Sequence, residues 1–250
     1  MMKKIILFSF IIAIFSCSKQ SANLSNENTK GKNGSLTRFA IKDNFMYAID
    51  LNYLKVYDIS NQDEPILRNK IKVDYGIETI SIYGNYVYLG AVDGVYIIDI
   101  KNPSSPVELE KIEHHVSCDP VIVLHNRAYS TQRTNAIGCG NIWTQSVLAV
   151  YDVVDPQKPT LINSISMEQP YGLAGENNWL FVCDEGKNGV VIFDISDPSN
   201  PVEKGLIEME QPRDIILTYP YMIISSKTSF KIFNYSNVLQ TTYVSTFELN

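Results

Sequence analysis

Short runs rich in Val, Ile, Tyr and Phe recur along residues 36–250, each closed by a polar turn. Five of them read Tyr53-Leu54-Lys55-Val56-Tyr57-Asp58, Val95-Tyr96-Ile97-Ile98-Asp99, Leu148-Ala149-Val150-Tyr151-Asp152, Val190-Val191-Ile192-Phe193-Asp194 and Phe230-Lys231-Ile232-Phe233-Asn234. Branched and aromatic side chains suit a half-buried pleated surface, so each run reads as a strand ending on an acidic or amide residue. Three copies continue with proline at +4 and +7: Pro103 and Pro106, Pro156 and Pro159, Pro198 and Pro201. The first copy keeps only Pro65, and the last keeps neither. An apolar landmark stands mid-strand ahead of each run, at Tyr47, Tyr88, Tyr129, Phe181 and Ile223. Asp58 to Tyr88 and Asp99 to Tyr129 are each 30 residues, while Asp152 to Phe181 and Asp194 to Ile223 are each 29.

A unit of 40 to 42 residues carrying four short strands is the signature of a β-propeller blade, and five units predict an all-β, five-bladed propeller. In the second unit strand A is Ile77 to Tyr83, B Tyr86 to Ala91, C Val95 to Ile100 and D Val107 to Ile112. By analogy with other propellers, A lines the central channel and D is outermost. Glu108, Glu110, Lys111 and Glu113, and likewise Glu203, Lys204, Glu208 and Glu210, put charge where an open edge needs protection from pairing. The last D strand is Thr241 to Leu249, so five complete blades fit with no strand exchanged, a strand-swapped closure being the alternative.

These units resemble the LVIVD repeat of bacterial and archaeal surface proteins from about Leu36 to Asn250, best in Gly189 to Pro201. The resemblance implies a propeller and brings no shared catalytic motif with it.

Ahead of the repeats, Met1-Met2-Lys3-Lys4 is a short positive start and Ile5 to Phe15 an apolar run. Eleven helical residues rise about 16 Å, roughly half the hydrocarbon core, so the run reads as a secretory signal. Ile14-Phe15-Ser16-Cys17 resembles a lipobox, although Phe15 is bulkier than that pattern prefers; the alternative is an ordinary signal with a chance Cys. Residues 1–16 are then the lipoprotein signal, 17–35 a lipidated Cys17 with a Ser-, Asn-, Lys- and Gly-rich tether, and 36–250 the propeller. The expected address is the cell envelope, as a lipid-anchored protein of the outer membrane of a Gram-negative bacterium.

The net charge of −6, with no basic stripe, argues against nucleic acid. A serine-nucleophile elbow, a phosphate loop and a paired CxxC are all missing, so no cofactor or metal is expected. Asp58, Asp99, Asp152 and Asp194 invite a catalytic reading, but four copies at one place point to turn residues that accept backbone N–H groups.

One irregularity is informative. Landmark to closing residue is 11 positions in units one, two and five, and 23 in unit three, an insertion of 12 between strands B and C. The inserted stretch, near Thr131 to Gln145, falls on the face shared by B–C and D–A loops, where function tends to be placed. Trp143 within it can stack on a sugar or anchor a protein, or pack back on the blade. Cys118 and Cys139 fall on the same face of the same blade, so a Cys118–Cys139 disulfide is expected in an oxidising compartment. Zinc held by His114 or His115 with Cys118 and Asp119 is the alternative. Cys183 ends a B strand as a small buried residue, and His125 lies at an A–B turn. Aligning the starts of the A strands gathers Thr37-Arg38, Glu78-Thr79, Asp119-Pro120, Tyr171-Gly172 and Arg213-Asp214 at the channel mouth.

The chain therefore reads as a non-enzymatic, membrane-tethered binding module for a protein or glycan partner, with Trp143, Tyr171, Arg38, Glu78, Asp119, Arg213 and Asp214 as its binding face. The alternative is a glycan hydrolase or lyase using Glu78, Asp119 and Asp214.

Overall fold

The computed structural model describes residues 36–73, 76–113, 120–133 and 145–249. These form five four-stranded antiparallel sheets, each from four strands consecutive in sequence. Blade one holds β1 (Phe39–Lys42), β2 (Phe45–Asp50), β3 (Tyr53–Asp58) and β4 (Ile66–Lys72). Blade two holds β5 (Ile77–Tyr83), β6 (Tyr86–Ala91), β7 (Gly94–Asp99) and β8 (Val107–Glu113). Blade three holds β9 (Val121–Leu124), β10 (Arg127–Gln132), β11 (Ser146–Asp152) and β12 (Thr160–Met167). Blade four holds β13 (Pro170–Glu176), β14 (Trp179–Asp184), β15 (Gly189–Asp194) and β16 (Val202–Glu208). Blade five holds β17 (Pro212–Thr218), β18 (Tyr221–Ser226), β19 (Ser229–Asn234) and β20 (Thr242–Glu248). The fold is thus an all-β five-bladed propeller whose sheets exchange no strand. The A and B strands of unit two match their predicted bounds, C starts one residue earlier and D runs one further. The last D strand is shorter by one residue at each end.

The landmarks occupy one register position throughout, opposite Val56, Ile97, Val150, Ile192 and Ile232 of the C strands. Tyr47, Tyr88, Tyr129 and Phe181 are almost completely buried, whereas Ile223 is half-buried. Four apolar clusters cement the blades in chain order, between one and two, two and three, three and four, and four and five. The seam between blades five and one is marked instead by a bond from Leu36 N–H to Asp214 Oδ2 at 3.4 Å. Phe39 and Ile41 of β1, Ile216 of β17 and Phe230 of β19 are exposed.

The closing Asp of each C strand does the turn-building expected of it. Asp58, Asp99, Asp152, Asp194 and Asn234 each accept the N–H two residues on, at 2.7–2.9 Å. Three residues later, Asn61, Asn102, Asp155 and Asp197 repeat the device at 3.0–3.2 Å. Every C–D pair also slips by one residue immediately after the position facing the landmark. These bulges in the largely exposed outer strands bend the edge and, with its charges, blunt it against pairing.

Candidate functional site

The B–C and D–A connections and the starts of the A strands form one end of the channel, and a backbone irregularity builds its rim. In three blades the A–B register slips at the first residues of the A strand: between Ile77 and Thr79, Pro170 and Leu173, and Pro212 and Asp214. The slips leave Glu78, Tyr171 with Gly172, and Arg213 outside the ladder, and bulges of this kind re-aim side chains. Four of the rim residues gathered from sequence, Glu78, Tyr171, Gly172 and Arg213, are therefore bulge residues. Gly172 is required where blades four and five meet. A Cβ there would lie 2.3 Å from Asp214 Oδ1 and 2.7 Å from the Arg213 carbonyl oxygen.

Blades three to five bring charge together around Tyr171. The Arg133 guanidinium lies 3.9 Å and that of Arg213 3.8 Å from the ring centroid. Arg213 Nη2 donates to Glu185 Oε1 at 2.9 Å, and Lys227 Nζ donates to the same oxygen at 3.3 Å. Burial by itself would raise the Glu185 pKa; the Tyr171 hydroxyl, Lys227 and Arg213 outweigh it and hold the carboxyl below its ordinary value. Arg133 Nε is buried and meets no hydrogen-bond acceptor among the described residues. Arg213 and Lys227 thus share one carboxylate here, while Arg133 packs on the Tyr171 ring. A second, fully buried carboxylate fixes the backbone beneath them. Asp184 accepts N–H groups from Glu168 and Gln169 of the D–A loop at 3.1 and 2.8 Å. It also accepts those of Gly186 and Lys187 of the B–C turn at 3.0 and 3.3 Å. Thr131 Oγ1 donates to the Tyr171 carbonyl at 2.6 Å, tying blade three to blade four.

Of the residues selected from sequence, Tyr171, Arg213 and Asp214 come together. Asp214 also takes the Leu36 N–H of the seam. Arg38 is exposed before β1, close enough to Asp50 to lower that carboxyl's pKa, though after Lys55 and Lys70 in effect. Glu78 is half-buried on blade two. Cys17, His114, His115, Cys118, Asp119, Cys139 and Trp143 lie outside the described residues. The insertion separates β10 from β11, strands B and C of blade three, as expected. Cys183 is wholly buried as a free thiol, and burial pushes its pKa well up. His125 Nε2 meets the Asn177 carbonyl at 2.6 Å on the opposite end of the channel. Sequence reasoning missed Glu185 and Lys227 and gave Arg133 no role. All three stand four positions after a landmark, at Tyr129, Phe181 and Ile223, a signal open to the same alignment that found the A strands.

A face of Tyr171 is unavailable for stacking on a sugar wherever a guanidinium covers it, so this rim works through charge and planar hydrogen-bond donors.

No curated protein matches the chain. Among solved structures, a protein from Bacteroides fragilis provisionally described as a 6-phosphogluconolactonase aligns over 85% of this chain and 70% of its own, at 12% identity and TM-score 0.63. A periplasmic gluconolactonase from Pseudomonas aeruginosa aligns over 82% and 68%, at 9% identity and TM-score 0.64. A chain of a nidogen/laminin complex aligns over 82% and 76%, at 13% identity and TM-score 0.56. Identities this low establish the fold alone. The LVIVD repeat model matches residues 33–73, 77–113 and 173–208, within blades one, two and four. The chain is a five-bladed β-propeller that carries LVIVD repeats in three of its blades.

Proposed function

We propose that the chain is a binding module, exported and tethered to the envelope through Cys17, whose charged rim engages a carboxylate-bearing protein or glycan. The observation that carries this reading is the guanidinium pair on Tyr171, with Arg133 Nε meeting no acceptor among the described residues. A ligand carboxylate that reaches the guanidinium edges would form charge-assisted hydrogen bonds, roughly twice as strong as neutral ones. Arg presents a planar fork of donors suited to that group, and Tyr171 holds two such forks with little rotamer freedom left to lose. A protein partner is also in keeping with the nidogen/laminin complex among the similar folds. The test is titration of the full chain with polyglutamate and with polygalacturonate, against uncharged dextran. One or both anions should bind, more weakly as salt rises, and Arg133→Met should lose about fivefold or more. Equal binding of dextran, or an unchanged Arg133→Met titration, would refute it.

The second reading, hydrolysis with Glu78 and Asp214, draws on the gluconolactonases among the similar folds. Turnover of a lactone or glycan that vanishes in Asp214→Asn would replace binding as the function.

A further inference from the structure

The repeat shows what a blade needs in order to fold, so departures from it single out what the fold does not require. One group of departures lies between blades four and five, at the end of the channel opposite the charged rim. After the closing residue of each C strand stand Ile59, Ile100, Val153, Ile195 and, in blade five, Tyr235. All five donate their backbone N–H to an A–B turn carbonyl, that of Asn44, Asn85, Asn126, Asn178 or Pro220, at 2.8–3.1 Å. An aliphatic plug therefore satisfies the fold, and the Tyr235 ring and hydroxyl are additions. That hydroxyl donates to Glu176 Oε2 of blade four at 2.7 Å. The A–B turns read Asp43-Asn44, Gly84-Asn85, His125-Asn126, Asn177-Asn178 and, again departing, Tyr219-Pro220. Tyr219 leaves 63% of its surface exposed where two of the other blades carry Gly or Asp. Its ring stands edge-on to Tyr235, with centroids 5.9 Å apart, and Phe181 meets the same ring at 6.0 Å. Three aromatic rings are thereby fixed against one another beneath an open mouth.

These side chains, with Trp179, Asn177, Asn178 and Ser236, enclose a pocket of about 250 Å³. That volume lies just below the usual range for drug-sized ligands, too small for an extended ligand and of the order of one sugar ring. We propose that it binds a single neutral pyranose, the terminal unit of a glycan or a free monosaccharide. A sugar ring presents an apolar C–H face and a belt of hydroxyls that both donate and accept. Trp179 and Tyr219 supply aromatic surface for the first. The Asn177 and Asn178 amides, each donor and acceptor, and the Glu176 carboxylate serve the second. Among the described residues no Lys or Arg lines the pocket, and Glu176 disfavours an anion, which separates this ligand from that of the rim. A quaternary ammonium would also suit aromatic walls. Tyr235, however, is almost fully buried and two amides line the rim, which favours hydroxyls over methyl groups.

The sequence contains two tryptophans, so Trp143→Phe makes Trp179 the sole tryptophan of the full chain, read by excitation selective for indole over the tyrosines. That protein is titrated with glucose, galactose, mannose, N-acetylglucosamine and choline. The proposal expects a saturable change of Trp179 emission with at least one pyranose, half-complete in the millimolar range. Tyr219→Ala, at an exposed position that leaves the fold intact by circular dichroism, should weaken it about tenfold or more. Choline should leave the emission unchanged. Three results would overturn the proposal: no pyranose alters Trp179 emission or gives a saturation-transfer signal up to about 100 mM, Tyr219→Ala titrates like its parent, or choline binds and the sugars do not. Loss of carboxylate binding at the rim leaves this pocket untouched, since the two sites share no side chain.

Discussion

Asp184 is the residue through which the rim's order is most easily attacked. It is fully buried, and its two oxygens accept four backbone N–H groups, two from the loop before β13 and two from the turn before β15. A carboxylate offers about four lone-pair sites, so the donors saturate it. Asp184→Asn keeps one acceptor oxygen. Placed where Oδ1 now stands, it retains Gln169, Gly186 and Lys187, while the amide N–H faces the Glu168 N–H that Oδ2 now receives. One lost bond with a donor–donor conflict costs about 2 kcal/mol. Asp184→Ala strands all four donors. Two lie toward solvent and rehydrate, leaving a cost of about 3–5 kcal/mol, a large part of a domain's total stability. Urea unfolding of both variants tests this, with midpoints expected in the order wild type, Asn, Ala at equal m-values. Glu185, next in the chain, should lose its fixed place beside Arg213 and Lys227, so both variants should also bind the anionic probes more weakly. Stability of Asp184→Ala within about 0.5 kcal/mol of wild type would show that the four bonds are replaced by water at no cost, refuting the reasoning.

Gly172→Ala forces a methyl against Asp214 and the Arg213 carbonyl; it should cost about 1–3 kcal/mol by chemical denaturation and weaken polyglutamate binding. Tyr129→Phe removes the hydroxyl that donates to the Pro198 carbonyl at 2.7 Å, and should lower stability by about 1 kcal/mol in the same assay. The Ser60 hydroxyl and backbone N–H, followed by Arg68, lower the Asp58 carboxyl from 3.8 to about 2. The stability this carboxyl contributes is complete above about pH 4 and is lost as pH falls toward 2; Asp58→Asn should flatten the thermal midpoint between those values. Hydrogen exchange should find β1 and β17 at the seam less protected than β9 and β13, because the apolar clusters lie at the other four junctions.

The blades were legible because branched and aromatic runs, closing Asp residues and landmarks all keep one period. The bulges were not. The residues left over in the D strands are Arg68, Leu109, Ile162, Lys204 and Val244, which share no residue type and so leave no trace in the sequence. The second turn device was written plainly in Asn61, Asn102, Asp155 and Asp197, three positions after each closing Asp, and only the first was read. At the rim, aligning A strands found Tyr171, Arg213 and Asp214. Glu185 and Lys227 sit in turns contributed by neighbouring strands, so their meeting with Tyr171 depends on how blades pack, which periodicity does not express. The pocket escaped for a related reason. Tyr219 and Tyr235 look like ordinary strand-rich aromatics until the other four blades show that neither place needs one.

Cross-linking mass spectrometry on the full chain in the cells that produce it tests the central claim most directly, because the lysines mark the two ends of the channel. Lys187 and Lys227 lie in B–C turns on the charged rim, whereas Lys42, Lys101 and Lys158 lie at the opposite end. The account predicts cross-links from Lys187 and Lys227 to an acidic partner, lost in Arg133→Met. Cross-links confined to Lys42, Lys101 and Lys158, unchanged in that variant, would contradict it.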